Sequence, residues 1–195
     1  DYGLLHEWGH QLGLVDLYRL NMGPDQNLVT RDGYSGPACL MNGCSHFLSD
    51  HTANAMNHWA EVAHGYYGQY LYELPDQMKL RFTGIGGAPL AGATVTVYQK
   101  CERPGLGEVI TDQAKCQGTT DAQGEWVLPN VPVDPGMVPP AYTGDTLHDN
   151  PFGYVAVVGT NGVFLIKVEK DGFTDYCWLD NTEVNNAYWE GQPGT

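Results

Sequence analysis

The chain has 195 residues, 42% of them hydrophobic and 16% charged, with 23 acidic against 9 basic side chains and a formal net charge of −14. That length suits one large domain or two small ones. A surface this acidic repels phosphate backbones and anionic lipid, which excludes nucleic acid as an expected partner. No apolar run reaches the length of a membrane span, so no membrane insertion is expected.

In chain order, Leu4, Leu5, Trp8, Leu12 and Leu14 recur at near-helical spacing and predict a first helix. Residues 21–46 are rich in Gly, Asn, Asp, Pro and Ser and are expected to form irregular loop. A second helix is expected from Asp50 to Ala63, with Ala53, Met56, Ala60 and Ala63 on one face. Beyond residue 70 the pattern turns to short strands. Lys79 to Phe82 alternates, and Ala93 to Tyr98 alternates strongly and is β-branched. The turn Asp121 to Gly124 leads into a strand at Glu125–Leu128. Residues 129–151 hold many prolines and are expected to be a long loop. Three more strands are expected at Tyr154–Val158, Val163–Val168 and Asp175–Leu179. The fold class expected is therefore α+β, with a first domain at 1–69 and an all-β, immunoglobulin-like sandwich at 70–195.

The chemistry is concentrated in His6–Asp16, which reads HEWGHQLGLVD. At 3.6 residues per turn His6 and His10 fall on one helix face, about a turn apart, where both imidazoles can reach one ion. Glu7 lies one residue along, beside that ion and free to act as a base on a zinc-activated water. Gly13 can end the helix in a left-handed conformation, and the returning chain can bring Asp16 in as a third ligand. Three protein ligands leave a position open for water, the mark of a catalytic rather than a structural site.

The stretch resembles the extended zinc signature of metzincin-type peptidases, in the variant with aspartate in place of the third histidine. Snapalysins and immune-inhibitor-A-like peptidases carry that variant, and the continuation Asp16-Leu17-Tyr18 is more similar to the second group. Cys39-Leu40-Met41-Asn42 resembles the methionine turn that lies beneath the zinc in metzincins, with Met41 as its methionine. The resemblance spans roughly residues 2–65. It implies a zinc metalloendopeptidase, with His6, His10 and Asp16 as metal ligands, Glu7 as general base and a protein or peptide as substrate. Two departures stand out. Some metzincins place a tyrosine two residues after the turn methionine; here that position is Gly43, leaving Tyr18 or Tyr34 as substitutes. Only five residues precede His6, so the subdomain that carries the substrate-pairing strand is expected upstream of this sequence, and the chain as given is expected to be a partial catalytic domain.

Pro89 to Tyr98 and Thr120 to Trp126 resemble a carboxypeptidase-regulatory or Cna-B-like sandwich. Such modules serve as spacers or adhesive units on secreted proteins. The rival to a peptidase is therefore a non-catalytic extracellular module that binds a cell-surface or glycan ligand through the sandwich. Trp178, Tyr188 and Trp189 are aromatic candidates for that role, against a plain role in the core.

Cys39 with Cys44, and Cys101 with Cys116, are each spaced for a short-loop disulfide, which fits an extracellular, secreted protein; five free thiols is the alternative, and Cys177 is left over. The chain opens on Asp-Tyr-Gly, so an export signal is expected to be removed or to lie upstream. His46, His51, His58 and His64 cluster around the second helix; a solvated face is expected there, with a second metal as the alternative. The acidic side chains also offer oxygen ligands to Ca2+, though without EF-hand spacing.

Overall fold

A computed structural model describes residues 1–60, 74–75, 77–132, 149–153 and 161–191. These residues form three helices and eight strands, and every strand pairing is antiparallel, an α+β arrangement. The helices are α1 (Tyr2–Gln11), α2 (Asp50–Trp59) and α3 (Asn181–Trp189). The strands are β1 (Lys79–Arg81), β2 (Thr94–Gln99), β3 (Cys101–Arg103), β4 (Gly107–Val109), β5 (Cys116–Thr119), β6 (Glu125–Val127), β7 (Val163–Lys170) and β8 (Phe173–Asp180). Among the described residues no helix is long and apolar enough to cross a membrane.

The central sheet has the order β5-β2-β7-β8, while β1 pairs with β6 and β3 with β4. Strand β7 begins Val163-Phe-Leu-Ile166, a continuous apolar run with all four residues buried. A half-exposed strand would alternate, so this run signals a strand covered on both faces. The structure shows how. Phe164 and Ile166 join Val95, Val97 and Leu128 in one cluster, against which Leu80 and Trp126 of the β1–β6 pair pack. Val163 turns the other way, into a cluster with Leu14, Val15, Leu17, Leu20, Cys39 and Met41. Leu165 follows it on that side, with Met22 and Ile110. Period-two geometry thus sends alternate residues of one strand into two cores. The residues on either side of position 70 share this sheet as a common wall.

Several sequence expectations change on contact with the structure. Leu4, Leu5, Trp8 and Leu12 do recur at helical spacing, yet they face outward, with Trp8 59% exposed. The buried face of α1 is instead His6, Gly9 and His10. The spacing thus marks the helix as expected, and its apolar stripe faces outward. In α2 the buried positions are His51, Thr52 and Ala55, while Ala60 is exposed; residues 61–63 lie outside the described residues. That buried face meets α3: Asn54 Nδ2 donates to Asn186 Oδ1 at 3.2 Å, and the rings of His51 and His58 lie 5.2 and 5.9 Å from Trp189. The expected solvated histidine face is thus a helix–helix contact at His51, which is 2% exposed, although His46 and His58 are exposed. His64 lies outside the described residues.

The segment 70–195 is not all-β, because α3 follows β8 directly. Asp180 ends the strand and caps the helix, its Oδ1 accepting from the amides of Thr182 at 2.8 Å and Glu183 at 3.3 Å. Strands at Lys79, Ala93, Glu125, Val163 and Asp175 fall where expected, the Asp121–Gly124 turn is present, and Tyr154–Val158 lies outside the described residues. All five cysteines are free, against the expected short-loop disulfides. Cys39 is buried with its Sγ 3.8 Å from Thr52 Oγ1, whereas Cys44 is exposed beyond a left-handed turn. Cys101 and Cys116 open strands that belong to different sheets.

Candidate metal centre

Helix α1 starts where Asp1 caps it, accepting from Gly3 N at 3.0 Å, and ends at Leu12. Gly13 has φ of +83°, and its N–H and that of Leu14 return to the carbonyls of His10 and Gly9 at 3.0 and 3.2 Å. This is the left-handed stop that glycine permits. The chain folds back over two residues, and Asp16 then precedes a short 3-10 turn at Leu17–Leu20.

The fold-back brings the three expected ligands together. Asp16 Oδ1 lies 3.1 Å from His6 Nε2 and 3.2 Å from His10 Nε2. Both histidines are buried, at 6% and 7% exposure. His6 Nδ1 is 2.9 Å from the carbonyl oxygen of Leu40, and His10 Nδ1 is 2.8 Å from that of Leu14. A carbonyl can only accept, so both Nδ1 atoms carry the proton and donate. In the neutral rings both Nε2 atoms then hold bare lone pairs, aimed at a carboxylate oxygen that also has only lone pairs to offer. A cation held among these three atoms, or a proton on one Nε2, satisfies them. Four ligands about 2.0–2.1 Å from a zinc ion define a tetrahedron with edges of about 3.3 Å, close to the separations here. The donor set and its spacing therefore fit zinc, and the carbonyls of Leu40 and Leu14 provide the outer support typical of metal-binding histidines. His6, Glu7 and His10 also form a cluster whose ligand atoms all lie within 4.8 Å, with Glu7 exposed at its mouth. Among the described residues this is the group that stands out as able to hold a metal ion.

The floor of the site is Met41, which is fully buried. A β-carbon built on Gly9 would lie 2.8 Å from Met41 Sδ, so the helix can rest on the thioether only because residue 9 has no side chain. The carbonyl of Met41 accepts from Leu17 N at 2.9 Å and ties the floor to the Asp16 turn. Gly9 is not among the sequence expectations; a small residue one position before His10 was the available signal.

Of the two tyrosines named as substitutes, Tyr18 belongs to the site. Its hydroxyl donates to Asp16 Oδ2 at 2.8 Å, and its ring stacks on His6 at 6.4 Å. The Asp16 carboxylate that accepts this proton raises the phenol above its ordinary pKa, with desolvation adding to the shift. Tyr34 lies elsewhere, its hydroxyl donating to Asp180 Oδ2 at 2.6 Å and its ring stacked on Trp178. Beside the cluster, Tyr2, Leu5, Leu40, Ser45, His46, Phe47 and Leu48 line a cavity of about 210 Å³.

No family model matches the chain, and the comparisons with curated proteins and solved structures found no match.

Proposed function

We propose that this chain carries the metal centre of a secreted zinc endopeptidase of metzincin type, with His6, His10 and Asp16 as ligands and Glu7 as the catalytic base. The observation that carries the reading is that Nε2 of His6 and Nε2 of His10 each lie within 3.2 Å of one Asp16 oxygen, with both rings held by backbone carbonyls. His6, His10 and Asp16 would hold a zinc ion, which would supply Lewis acidity and lower the pKa of a bound water to about 7. Glu7, exposed beside the two histidines, would accept the proton of the attacking water and pass it to the leaving amine. Asp16 and the two imidazoles hold the charge, and Tyr18 keeps Asp16 oriented. The cavity below Leu40, walled by Tyr2, Leu5, Phe47 and Leu48, suits an apolar side chain of a peptide substrate. The β-rich part, which resembles a carboxypeptidase-regulatory or Cna-B-like sandwich, shares its central sheet with the segment that carries the site.

The test is zinc content of the chain, and casein hydrolysis by the longer protein that supplies the upstream subdomain, measured for wild type, His10→Ala and Glu7→Gln. Near-stoichiometric zinc in wild type and Glu7→Gln, lost in His10→Ala, is the expected pattern, with hydrolysis confined to wild type. Absence of zinc from wild type, or hydrolysis by Glu7→Gln at the wild-type rate, overturns the reading.

A second reading makes the β-rich part the functional unit, a non-catalytic module for a cell-surface or glycan ligand. What favours it is a groove of about 510 Å³ between the Thr83–Leu90 loop and the β7–β8 hairpin, flanked by the exposed side chains of Ile85 and Phe173. Glycan-array binding kept by Glu7→Gln and lost in Ile85→Ser with Phe173→Ser would support it.

A further inference from the structure

Lysine is among the side chains least often buried without a partner. Lys100 is 1% exposed and ranks among the largest fully buried side chains of the protein. It follows β2 directly, and its main chain is pinned in the sheet: its N–H donates to Val163 O at 2.9 Å, and its carbonyl accepts from Asn161 N at 3.0 Å. Its ammonium leaves the sheet altogether. Nζ donates to the carbonyl of Arg19 at 2.6 Å and lies 3.5 Å from that of Asn21, with Glu108 Oε2 at 2.8 Å as its counter-charge.

Those two carbonyls close the turn that Asp16 begins. Arg19 N bonds to Asp16 O at 3.3 Å, and Asn21 N to Tyr18 O at 3.1 Å. The C-terminal end of a helical turn presents unsatisfied carbonyls, and a cation there is favourable. Asn21 also reaches Asn42, beside Met41: its Nδ2 donates to Asn42 Oδ1 at 3.0 Å. One buried cation from the β-rich part therefore fixes the far end of the turn that presents Asp16 and Tyr18, and that turn is in turn bonded to the floor of the site. A second set of bonds runs parallel to it. Ile110 N donates to Gln26 O and Leu28 N to Ile110 O, both at 2.9 Å, and Gln26 Nε2 donates to Glu108 O at 3.0 Å.

We infer that Lys100 is a positioning residue for the metal ligand Asp16, so that the β-rich part of the chain is the scaffold of the metal centre and not a detachable spacer. The inference rests on the metal-site reading above, and it goes beyond that reading in assigning the site's integrity to a residue about eighty positions downstream. Electrostatically, Lys100 replaces water at the carbonyls of the turn; its removal lets the turn swing and spreads the positions that Asp16 Oδ1 can occupy. Affinity for the ion then falls, because the ligand must be ordered at the moment of binding.

The experiment is a zinc titration, by competition with a chromophoric chelator, of wild type, Glu108→Gln and the double variant Lys100→Met, Glu108→Gln. The double variant keeps the buried stem and leaves no unpaired carboxylate. Cobalt(II) spectra of the three report ligand geometry. Zinc dissociation constants at least tenfold weaker in the double variant, with an altered cobalt spectrum and near-wild-type affinity in Glu108→Gln, are the expected results. A purely structural lysine would lower the melting temperature while leaving the affinity and spectrum of the folded chain unchanged, and that outcome overturns the inference. Should the double variant not fold, hydrogen exchange of wild type decides. Coupling is reciprocal, so zinc should slow exchange at the amides of Asn21 and Asn161 at least tenfold, and unchanged exchange there overturns the inference. Wild type that takes up no zinc from zinc chloride overturns the metal-site reading itself, and the inference with it.

Discussion

The α-carbon of Gly9 lies against the thioether of Met41, close enough that a single added methyl group would fall 2.8 Å from the sulfur. The contact sets the height of α1 above the floor, and with it the height of both imidazoles. Gly9→Ala should gain about 1 kcal/mol of helix propensity and lose about 1–3 kcal/mol to overpacking, for a net destabilisation. In a Met41→Ala background the loss should disappear and leave only the gain. Urea unfolding of the four proteins checks this; additive effects of the two substitutions would show that the contact is not felt.

Tyr18 donates to the oxygen of Asp16 that does not face the histidines. Partners of this kind are typically worth 10–100-fold in metal affinity. Tyr18 is half exposed, so Tyr18→Phe should weaken zinc binding about tenfold, at the lower end of that range, without altering the unfolding midpoint of the zinc-free chain. A chelator competition assay measures the first quantity and urea denaturation the second.

His51 is buried against Trp189, and desolvation lowers its pKa to about 3, with its hydrogen bond to Asn185 opposing the shift. The unfolded chain takes up a proton near pH 6.5, whereas the folded chain does so only near 3. Between those values the unfolded state binds more protons, so stability contributed here is present above pH 6.5 and is lost as pH falls. At pH 4 the loss amounts to about 3 kcal/mol. His51→Gln should remove this component, giving a smaller drop in urea midpoint between pH 7 and pH 4 than wild type shows. Equal drops in the two proteins would contradict the assignment.

Tyr34 and Asp180 join the loop after the metal site to the start of α3 through a 2.6 Å hydrogen bond. Burial, with the Asp180 carboxylate beside it, holds the phenol protonated far above its ordinary range. Tyr34→Phe keeps the stacking on Trp178 and leaves a fully buried carboxylate short of a donor, so it should cost about 1.5–3 kcal/mol. Thermal unfolding followed by near-ultraviolet circular dichroism measures the loss.

The convergence of His6, His10 and Asp16 was legible in the sequence because it is local. Two histidines four apart, a glycine able to turn left-handed and an aspartate three beyond it are all governed by backbone geometry within eleven residues. Strand β2 was legible for the same kind of reason, its β-branched alternation being a short-range property. What escaped was decided at long range. The outward direction of Leu4, Trp8 and Leu12 depends on Met41 occupying the opposite side of α1. The burial of His51 depends on α3, which is itself hard to see: Asn181–Trp189 is polar and follows a strand with no intervening turn signal. Strands β3 and β4 are three residues each, too short to show a period. Lys100 looks like any strand-end lysine until the Arg19 and Asn21 carbonyls are brought over it.

The two imidazoles are aimed by main-chain oxygens, those of Leu40 and Leu14, whereas Asp16 is aimed by the side chain of Tyr18. Main-chain atoms are the same whatever residue is encoded. Drift at positions 14 and 40 therefore leaves the histidine half of the site intact so long as the backbone path holds, while a single codon change at position 18 reaches the aspartate half. Heritable variation in the geometry of this cluster should accordingly enter through the carboxylate.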